Sequence, residues 1–379
     1  RSRMNDHPRP PRILHVAQPT IAGVAVFVRN VARHQHRIGW EVTVACPSDG
    51  WLSSELRAEG VDVATWEATR NPGPSLLAEV RHLTPIIREV APDLVYLHSA
   101  KAGLAGRLAV RRRIPTLFEP NAWSFHPSGP FRPLARIWER VASRWVDLFV
   151  MVSETEAAQG REVGVRGHYV TIPHGVDPEA FPFSDATARA QARHDLGLPD
   201  TPIAVCVGRL CEQKGQDLLF DAWPRVLDRV PDAQLVLVGD GPDGPALRAA
   251  APPQVFFAGD RADVHRWLTA ADVAAVSSRW EAGISFATIE AWSTGRPVVT
   301  FDMSGMGTHI RDCGAAVPLG DTTRFAEELA VRLDDPVRCE QEGLAGRRRV
   351  ERELSEQRSV EAVTAAAQRL LEERRSGAR

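Results

Sequence analysis

The sequence predicts an α/β protein of two doubly wound units, each with a parallel sheet covered by helices on both faces. Short apolar runs without alternation recur along the 379-residue chain, separated by helical patterns, and this is typical of parallel strands buried on both faces. A chain of this length also exceeds what one hydrophobic core usually supports. A proline-containing stretch at 177–202 separates the two series of runs, so we place the junction there.

The apolar runs define the order of the predicted strands. In the first half we predict strands at 12–17, 41–46, 94–99, 116–119, 148–153 and 169–174, with the first helix at about 26–38. In the second half we predict strands at 203–208, 234–239, 255–259, 273–278 and 297–302. We therefore expect domains at 1–182 and 183–355, and a last helix at 356–379.

Composition and net charge indicate an ordinary globular protein and argue against several other classes. Hydrophobic residues make up 44% and charged residues 25%, as in ordinary globular proteins, and a net charge of −2 gives no reason to expect nucleic-acid binding. The 5 cysteines are scattered, without the spacing of a zinc site or a disulfide framework. No apolar run approaches the roughly 18 residues of a membrane span. We expect a cytoplasmic protein.

The stretch 277–299, SSRWEAGISFATIEAWSTGRPVV, carries the strongest indication of a site. It reads as a strand end, a loop with Gly283, and a helix that begins near Ser285. A helix N-terminus favours an anionic group such as phosphate. Glu290 lies one turn further on an otherwise apolar segment, where a carboxylate needs hydrogen-bond donors such as sugar hydroxyls.

A second loop, VGRLCEQKG at 207–215, follows another predicted strand. Gly208 allows close approach of a ligand to the backbone, and Arg209 and Lys214 add two cations. A guanidinium fork and an ammonium group suit a diphosphate. The two loops together predict a phosphate-binding edge.

These two stretches resemble the signatures of retaining GT-B glycosyltransferases of family 4, also called group 1. Arg209 and Lys214 match the family's diphosphate-binding residues, and Glu290 matches the second of two glutamates, which holds the ribose hydroxyls in the family. The position of the first glutamate holds Ala282, and Glu281 lies one residue too early. Either the loop has an extra residue and Glu281 serves, or that acid is absent. The resemblance covers nearly the whole chain.

The resemblance implies a GT-B fold, with two Rossmann-like domains facing across a cleft and a last helix that crosses back to the N-terminal domain. It also implies a set of donor contacts. Gly239 lies in a turn similar to the family's G-x-G-P, and Asp260 and Arg261 lie in the loop beside the nucleotide base. The implied donor-binding residues are Gly23, Gly208, Arg209, Lys214, Gly239, Asp260, Arg261, Gly283, Ile284, Ser285, Phe286 and Glu290. The implied catalytic residues are Arg209, Lys214, Glu281 and Asn121.

Two places in the first half depart from the family pattern. Residues 20–24 resemble its Gly-Gly loop, but Ala22 replaces one glycine, so only Gly23 is expected to reach positive φ at low cost. Asn121 stands where relatives have a histidine near the transferred sugar. Its amide can hydrogen-bond a hydroxyl but does not titrate near neutral pH.

The activity implied is transfer of a sugar from a nucleoside diphosphate sugar, UDP- or GDP-linked, to an acceptor hydroxyl with retention of configuration. No Asp-x-Asp triplet occurs, so we expect no metal and no cofactor. The resemblance implies an acceptor that is a small molecule or a lipid-linked saccharide. A pseudo-glycosyltransferase that joins a cyclitol or amine, and a silent nucleotide-binding paralogue, are alternatives suggested by Asn121 and Ala282. An oxidoreductase is less favoured, since no GxGxxG follows the first strand.

Two predicted helices, at 107–113 and 132–144, mix arginines with apolar residues. We expect solvated faces whose arginine stems cover apolar surface. The alternative is a basic amphipathic surface that touches anionic lipid at the inner face of the membrane.

Overall fold

The computed structural model describes residues 9–70, 73–126, 131–303 and 305–377, and the chain divides into two units. The first unit holds the described residues up to Ile172 and those from Val360 onward, and the second holds Pro173–Ser359. Each unit has its own parallel sheet and its own hydrophobic core. The predicted pair of doubly wound α/β units is confirmed.

The first unit contains a seven-stranded sheet. Its strands are β1 (Arg12–Ala17), β2 (Glu41–Cys46), β3 (Asp62–Thr65), β4 (Leu94–His98), β5 (Thr116–Glu119), β6 (Leu148–Met151) and β7 (His168–Thr171). Its helices are α1 (Ala22–Arg37), α2 (Leu52–Ala58), α3 (Leu76–Val90), α4 (Ser99–Val110), α5 (Arg132–Ala142) and α6 (Glu154–Val163), with a 3-10 turn at Ser143–Trp145.

The second unit contains a six-stranded sheet. Its strands are β8 (Ile203–Val207), β9 (Gln234–Val238), β10 (Val255–Gly259), β11 (Val273–Val276), β12 (Val298–Phe301) and β13 (Gly314–Val317). Its helices are α7 (Ala186–Leu196), α8 (Gln216–Arg229), α9 (Gly244–Ala250), α10 (Val264–Ala270), α11 (Phe286–Ser293), α12 (Met306–Ile310), α13 (Thr322–Asp334) and α14 (Pro336–Glu353). A 3-10 turn lies at Glu212–Lys214, and α15 (Glu356–Gly377) begins in this unit and continues into the first.

Both sheets are wound in the same order. The first runs β3-β2-β1-β4-β5-β6-β7 and the second β10-β9-β8-β11-β12-β13, and their strand pairs are parallel. The chain order reverses between β1 and β4 in one sheet and between β8 and β11 in the other. Ligands of open α/β sheets bind outside the carboxyl ends of the strands at such points.

Three local features differ from the sequence prediction. Strands β3 and β13 were not predicted: β3 (DVAT) is an edge strand with exposed ends, and β13 (GAAV) is built from small residues. Neither contains an unbroken run of large apolar side chains. Helix α1 begins at Ala22 rather than near residue 26, so the loop after β1 is shorter than expected.

The junction between the units falls at Ile172 and Pro173, whereas the sequence suggested 182–183. Hydrogen bonds tie the intervening residues to the second unit. The carbonyl of Phe181 accepts from Ser293 Oγ at 2.7 Å and from Arg347 Nη1 at 3.0 Å. Ser184 donates its N–H to the Thr294 carbonyl at 3.1 Å and accepts from Arg296 Nη2 at 2.8 Å.

Large aromatic side chains lie inside both units. Trp66 and Trp123 are buried in the first unit, and Trp223 and Trp292 in the second. The five cysteines are free and buried (Cys46, Cys206, Cys211, Cys313 and Cys339). Among the helices that the structure describes, none is long and apolar enough to cross a membrane.

Candidate active site

The two loops singled out in the sequence meet at the switch point of the second sheet. One follows β8 and the other follows β11, and these strands are neighbours. Ser277 Oγ donates to the Lys214 carbonyl at 2.9 Å, and the Arg279 N–H donates to the Gln213 carbonyl at 2.7 Å. The Arg279 guanidinium binds both carboxylate oxygens of Asp217, at 2.9 and 2.5 Å. The structure therefore joins the two loops into one edge.

Close backbone packing explains two glycines at this edge. Gly215 precedes α8 with φ +60°, and a Cβ there would lie 2.3 Å from the Ser277 carbonyl oxygen. Gly239, at the end of β9, has φ +139°, and a Cβ there would lie 2.2 Å from the Gly208 carbonyl oxygen. Any larger residue would push the loops apart, so Gly239 has a packing role. At Gly208 a Cβ would approach only the Lys214 side chain, at 3.5 Å, which leaves its surface open to a ligand.

Arg209 places a guanidinium group at the joined edge. Its side chain is half-buried, and no hydrogen bond or ion pair holds its guanidinium among the described residues. Its carbonyl accepts from Gln216 Nε2 at 3.0 Å, and Gln216 is buried at the start of α8. Gln216 thus fixes the backbone from which the guanidinium extends. Gln216 was not predicted from the sequence, although it directly follows the Lys214-Gly215 pair.

Lys214 is bound to a carboxylate. Its Nζ donates to Glu281 Oε1 at 2.5 Å, and the same oxygen accepts from Ser278 Oγ at 2.7 Å. The Glu281 side chain is 12% exposed. The Glu281 carboxylate therefore points into the joined loops. A residue with no role in the site would point into solvent instead.

Glu290 lies in the second turn of α11, where its side chain is half-buried. Burial raises its pKa to about 7, although the Lys214 charge acts in the opposite direction. No side chain or backbone group hydrogen-bonds its carboxylate within the described ranges. A carboxylate in this state is suited to accept hydrogen bonds from ligand hydroxyls.

The start of α11 presents backbone N–H groups at the same edge. Ser285 is the N-cap, and its Oγ accepts from the Thr288 N–H at 3.3 Å. Phe286 packs against the His174 ring, with ring centroids 5.1 Å apart, and Ile284 packs on the core beside buried Gly283. The first N–H groups of a helix lack intrahelical partners and favour an anion.

The predicted base loop follows β10, the edge strand two positions from β8. Asp260 is exposed. Arg261 binds both oxygens of Asp263, at 2.9 and 3.0 Å, and lies over the Trp267 ring at 5.5 Å. The Arg261 guanidinium therefore has a local partner, whereas none of the described residues pairs with that of Arg209.

In the first unit the structure corrects one expectation about the loop after β1. Ala22, not Gly23, adopts positive φ, at 64°, and Gly23 lies inside the first turn of α1. Because α1 begins earlier than expected, the residue with the left-handed conformation is Ala22, one position before Gly23. A non-glycine residue there is strained, since Cβ sterics disfavour this region.

The loop after β5 brings Asn121 to a strained position. Asn121 and Ala122 have φ of 51° and 81°, and Asn121 Nδ2 is buried without a hydrogen-bond partner in the described part of the chain. The Ala122 N–H donates to Glu156 Oε1 at 2.9 Å. Burial raises the Glu156 pKa to about 8. Glu156 could not be predicted from the sequence, because its hydrogen bond joins α6 to a loop distant in the chain.

Potential metal ligands do not gather in the described residues: no group of three or more His, Cys, Asp or Glu side chains could hold an ion there.

Sequence comparison identifies the family. Residues 201–335 match the family model of glycosyl transferases group 1, and residues 21–180 match that of glycosyltransferase family 4. The chain is 30% identical over 334 residues to a GDP-mannose-dependent α-(1-6)-phosphatidylinositol monomannoside mannosyltransferase of Mycolicibacterium smegmatis, covering 81% of this chain and 85% of the relative. It is also 30% identical over 293 residues to a GDP-mannose-dependent monoacylated α-(1-6)-phosphatidylinositol monomannoside mannosyltransferase of Corynebacterium glutamicum, covering 72% and 75% of the two chains.

The fold agrees with this relationship. The crystal structure of Anabaena HepE with UDP and glucose superposes with a TM-score of 0.79 at 18% identity, covering 94% of this chain and 99% of that one. The class of protein is therefore the GT-B glycosyltransferases. Within that class, the chain belongs to the glycosyl transferases group 1, the family 4 glycosyltransferases.

Proposed function

We propose that this protein transfers a sugar from a nucleoside diphosphate sugar to an acceptor hydroxyl, with retention of configuration and without a metal ion. The observation that carries the proposal is a cation and a carboxylate at one switch point, Arg209 and Glu290, neither of which has a side-chain partner among the described residues. An isolated cation and an isolated carboxylate suit the two ends of a nucleoside diphosphate, its phosphates and its ribose hydroxyls.

The Arg209 guanidinium would bind the diphosphate through two parallel hydrogen bonds. The N–H groups at the start of α11 would add partial positive charge. Lys214 would exchange its contact with Glu281 for a phosphate oxygen. The negative charge on the leaving diphosphate is greatest in the transition state, so these groups favour the transition state over the ground state.

In the reaction, the bond between the anomeric carbon and the phosphate oxygen breaks, and a bond from that carbon to the acceptor oxygen forms on the same face. The acceptor proton moves to the released phosphate oxygen, so no side-chain base is required. By its resemblance to the family's histidine position, Asn121 would donate to a sugar hydroxyl, and its buried Nδ2 has no hydrogen-bond partner among the described residues. Glu281 would reach the same sugar once Lys214 releases it.

The identity of donor and acceptor is proposed from the relatives. The named mannosyltransferases depend on GDP-mannose and act on phosphatidylinositol monomannosides, and the structural relative was solved with UDP. We therefore propose a GDP- or UDP-linked donor, with no other cofactor, and a lipid-linked saccharide acceptor. A protein that meets such an acceptor contacts the membrane surface at least transiently.

A thermal-shift screen against GDP, UDP, ADP and dTDP tests the donor class. A ligand at 100 times its Kd stabilises the folded protein by about 2.7 kcal/mol, and we expect this for GDP or UDP. Mass spectrometry with GDP- and UDP-sugars then tests transfer. Binding without any sugar or cyclitol product would favour a silent paralogue, and no stabilisation by any of the four nucleotides would contradict the proposal.

A further inference from the structure

The turn after β5, which carries Asn121, is bound by the side chain of Glu156 on α6. Glu156 Oε1 accepts from the Ala122 N–H at 2.9 Å, and Glu156 Oε2 accepts from the Val152 N–H at 3.0 Å. Val152 directly follows β6, and β5 and β6 are neighbouring strands. One carboxyl group therefore connects the loops at the carboxyl ends of two strands of the first sheet.

Glu156 is fully buried, and no ion pair neutralises it among the described residues. Burial and the neighbouring Glu119 carboxyl group both raise its pKa. A buried carboxyl group without a cationic partner is unfavourable unless its oxygens are hydrogen-bonded. Both oxygens of Glu156 are bonded to backbone N–H groups of the two loops. These bonds keep the carboxyl group inside the unit, and through them it fixes the loops.

Capping of α6 does not account for both contacts. Ser153 is the N-cap of α6, and its Oγ accepts from the Glu156 N–H at 3.0 Å, as in a capping box. The glutamate of a capping box returns a bond to the backbone beside the N-cap, and the contact with Val152 is close to that arrangement. The contact with Ala122 lies outside it, because Ala122 belongs to a different loop.

The backbone of the turn depends on such a contact. Asn121 and Ala122 both have positive φ, 51° and 81°. Asparagine tolerates this region better than most residues, whereas Cβ sterics disfavour alanine there. A conformation of this kind persists only where the surrounding structure enforces it. Glu156 binds the N–H of Ala122, which is the less tolerant of the two residues.

The residues after the turn pack on the same helix. Trp123 Nε1 donates to the Glu156 carbonyl at 2.8 Å, and a Cβ at Gly160 would lie 2.5 Å from the Trp123 ring. His126 Nε2 contacts Gln159 Oε1 at 3.0 Å. Helix α6 is therefore a fixed support on which the Glu156 carboxyl group can hold the turn.

We propose that Glu156 is a positioning residue, which holds the left-handed turn that presents the Asn121 amide at the carboxyl edge of the first sheet. Asn121 Nδ2 is buried and has no hydrogen-bond partner within the described ranges. No bond at this nitrogen fixes the amide, so the backbone of the turn sets where it lies. Loss of the bond to Ala122 lets the turn relax toward negative φ, and the amide then changes direction.

The inference rests on the proposed function, since it assigns Glu156 to the reaction through the proposed contact of Asn121 with the transferred sugar. The geometry of the turn can nevertheless be measured without substrate. Hydrogen exchange of the turn reports on Glu156, and sugar transfer by the wild type reports on the proposed function. The two can therefore fail separately.

The first measurement is hydrogen exchange followed by mass spectrometry of the protein without nucleotide. Glu156→Ala removes both acceptors, so exchange in peptides covering 119–126 and 150–154 should become at least about tenfold faster, while peptides of β1 stay as in the wild type. Glu156→Gln keeps one acceptor and should show the effect in part, which provides a second variant if the alanine variant does not fold. The matched control is Glu79→Ala, at another buried carboxyl group of the first unit, whose ion pair with Lys101 lies outside both segments.

The second measurement is turnover. Asn121→Ala and Glu156→Ala should each lower kcat by about tenfold, with little change in affinity for free nucleoside diphosphate. Because Glu156 acts through Asn121, the double variant should be no slower than Asn121→Ala alone. A residue that only stabilised the fold would lower the melting temperature and leave kcat unchanged below that temperature.

Three outcomes overturn the inference. They are unchanged exchange at 119–126 in a folded Glu156 variant, unchanged kcat in Glu156→Ala, and losses of kcat that add in the double variant. Absence of sugar transfer by the wild type is a failure of the proposed function instead, and the exchange measurement then still shows whether Glu156 holds the turn.

Discussion

The two units have the same strand order, but polar groups at their switch points are satisfied differently. In the first unit, His15 and His98, on β1 and β4, hydrogen-bond at 2.9 Å, and His15 also contacts Gln35 at 2.8 Å. Tyr96 donates to buried Glu119 on the neighbouring strand β5. In the second unit, Arg209 and Glu290 have no such partners in the described structure.

This difference separates polar groups that hold the fold from those available to a ligand. Burial and the neighbouring His98 lower the His15 pKa to about 3, so this ring is neutral at physiological pH and acts as a fixed hydrogen-bonding group. Burial also raises the pKa of Tyr96 well above its ordinary value, which keeps its proton in place as a donor. Satisfied buried groups rigidify a structure, whereas an unsatisfied group at a strand end remains free to bind substrate.

The largest expected effect is at Arg209. Arg209→Ala should lower kcat/KM by about 10²-fold, because one donor to transition-state charge contributes roughly that much. Arg209→Lys keeps the positive charge but cannot form the two parallel hydrogen bonds of a guanidinium. Its kcat/KM should therefore lie between those of Arg209→Ala and the wild type. Steady-state kinetics measures both, with Arg225→Ala, at an exposed arginine of α8, as control. Unchanged turnover in Arg209→Ala would show that this residue does not take part in the reaction.

For Tyr96, the difference between the two units predicts a loss of stability without a loss of nucleotide binding. Tyr96→Phe removes a donor to a buried carboxylate and should lower the free energy of unfolding by about 1–3 kcal/mol while leaving nucleotide affinity unchanged. Tyr169→Phe is the control, since Tyr169 donates to the Val165 carbonyl at 3.1 Å from a half-buried position. Urea denaturation and calorimetry give the two quantities. A loss of nucleotide affinity in Tyr96→Phe would contradict the claim that this polar group of the first unit only holds the fold.

The smallest effect concerns Glu281. In the structure its carboxylate holds Lys214, so Glu281→Gln should release the ammonium group. We expect affinity for free nucleoside diphosphate to stay constant or rise by about 0.5 kcal/mol, while turnover falls if Glu281 contacts the transferred sugar. Calorimetry beside single-turnover kinetics measures the two effects. A clear loss of diphosphate affinity would instead give Glu281 a role in binding the nucleotide.

Much of this architecture could be predicted from the sequence because strands buried on both faces leave a strong pattern. The loops after β8 and β11 were predicted together, since parallel strands bring their carboxyl ends to one edge. The pairing of Lys214 with Glu281 could not be predicted, because it depends on the path of a loop with one residue more or less than the family pattern. Positive φ at Ala22 depends likewise on where α1 begins.

Helix α5 shows a different limit of sequence reasoning. Its apolar positions repeat with helical period, and such a stripe ordinarily faces the core. Here Glu139 and Ala142 face the core instead, because Arg107 on α4 supplies a buried partner for Glu139. The sequence pattern shows that one side of α5 is apolar. It does not show which side of the helix packs against the rest of the unit.

The most direct test of the account is the pH dependence of donor binding at Glu290. Because its pKa is about 7 in the free protein, the carboxylate that accepts ribose hydroxyls is mostly protonated at pH 6 and mostly ionised at pH 8. Binding to the ionised form lowers this pKa, so the gain in affinity is present above pH 7 and lost below it. We predict that affinity for GDP-mannose or UDP-glucose, measured by calorimetry, rises by up to about tenfold from pH 6 to pH 8.

The control is Glu290→Gln, which keeps one acceptor but cannot titrate. This variant should bind about 1–2 kcal/mol more weakly at pH 8, and its affinity should not change between pH 6 and pH 8. A rise of equal size in the wild type and in Glu290→Gln, or equal affinities of the two proteins at pH 8, would contradict the claim that the unpartnered carboxylate of the second unit receives the nucleotide.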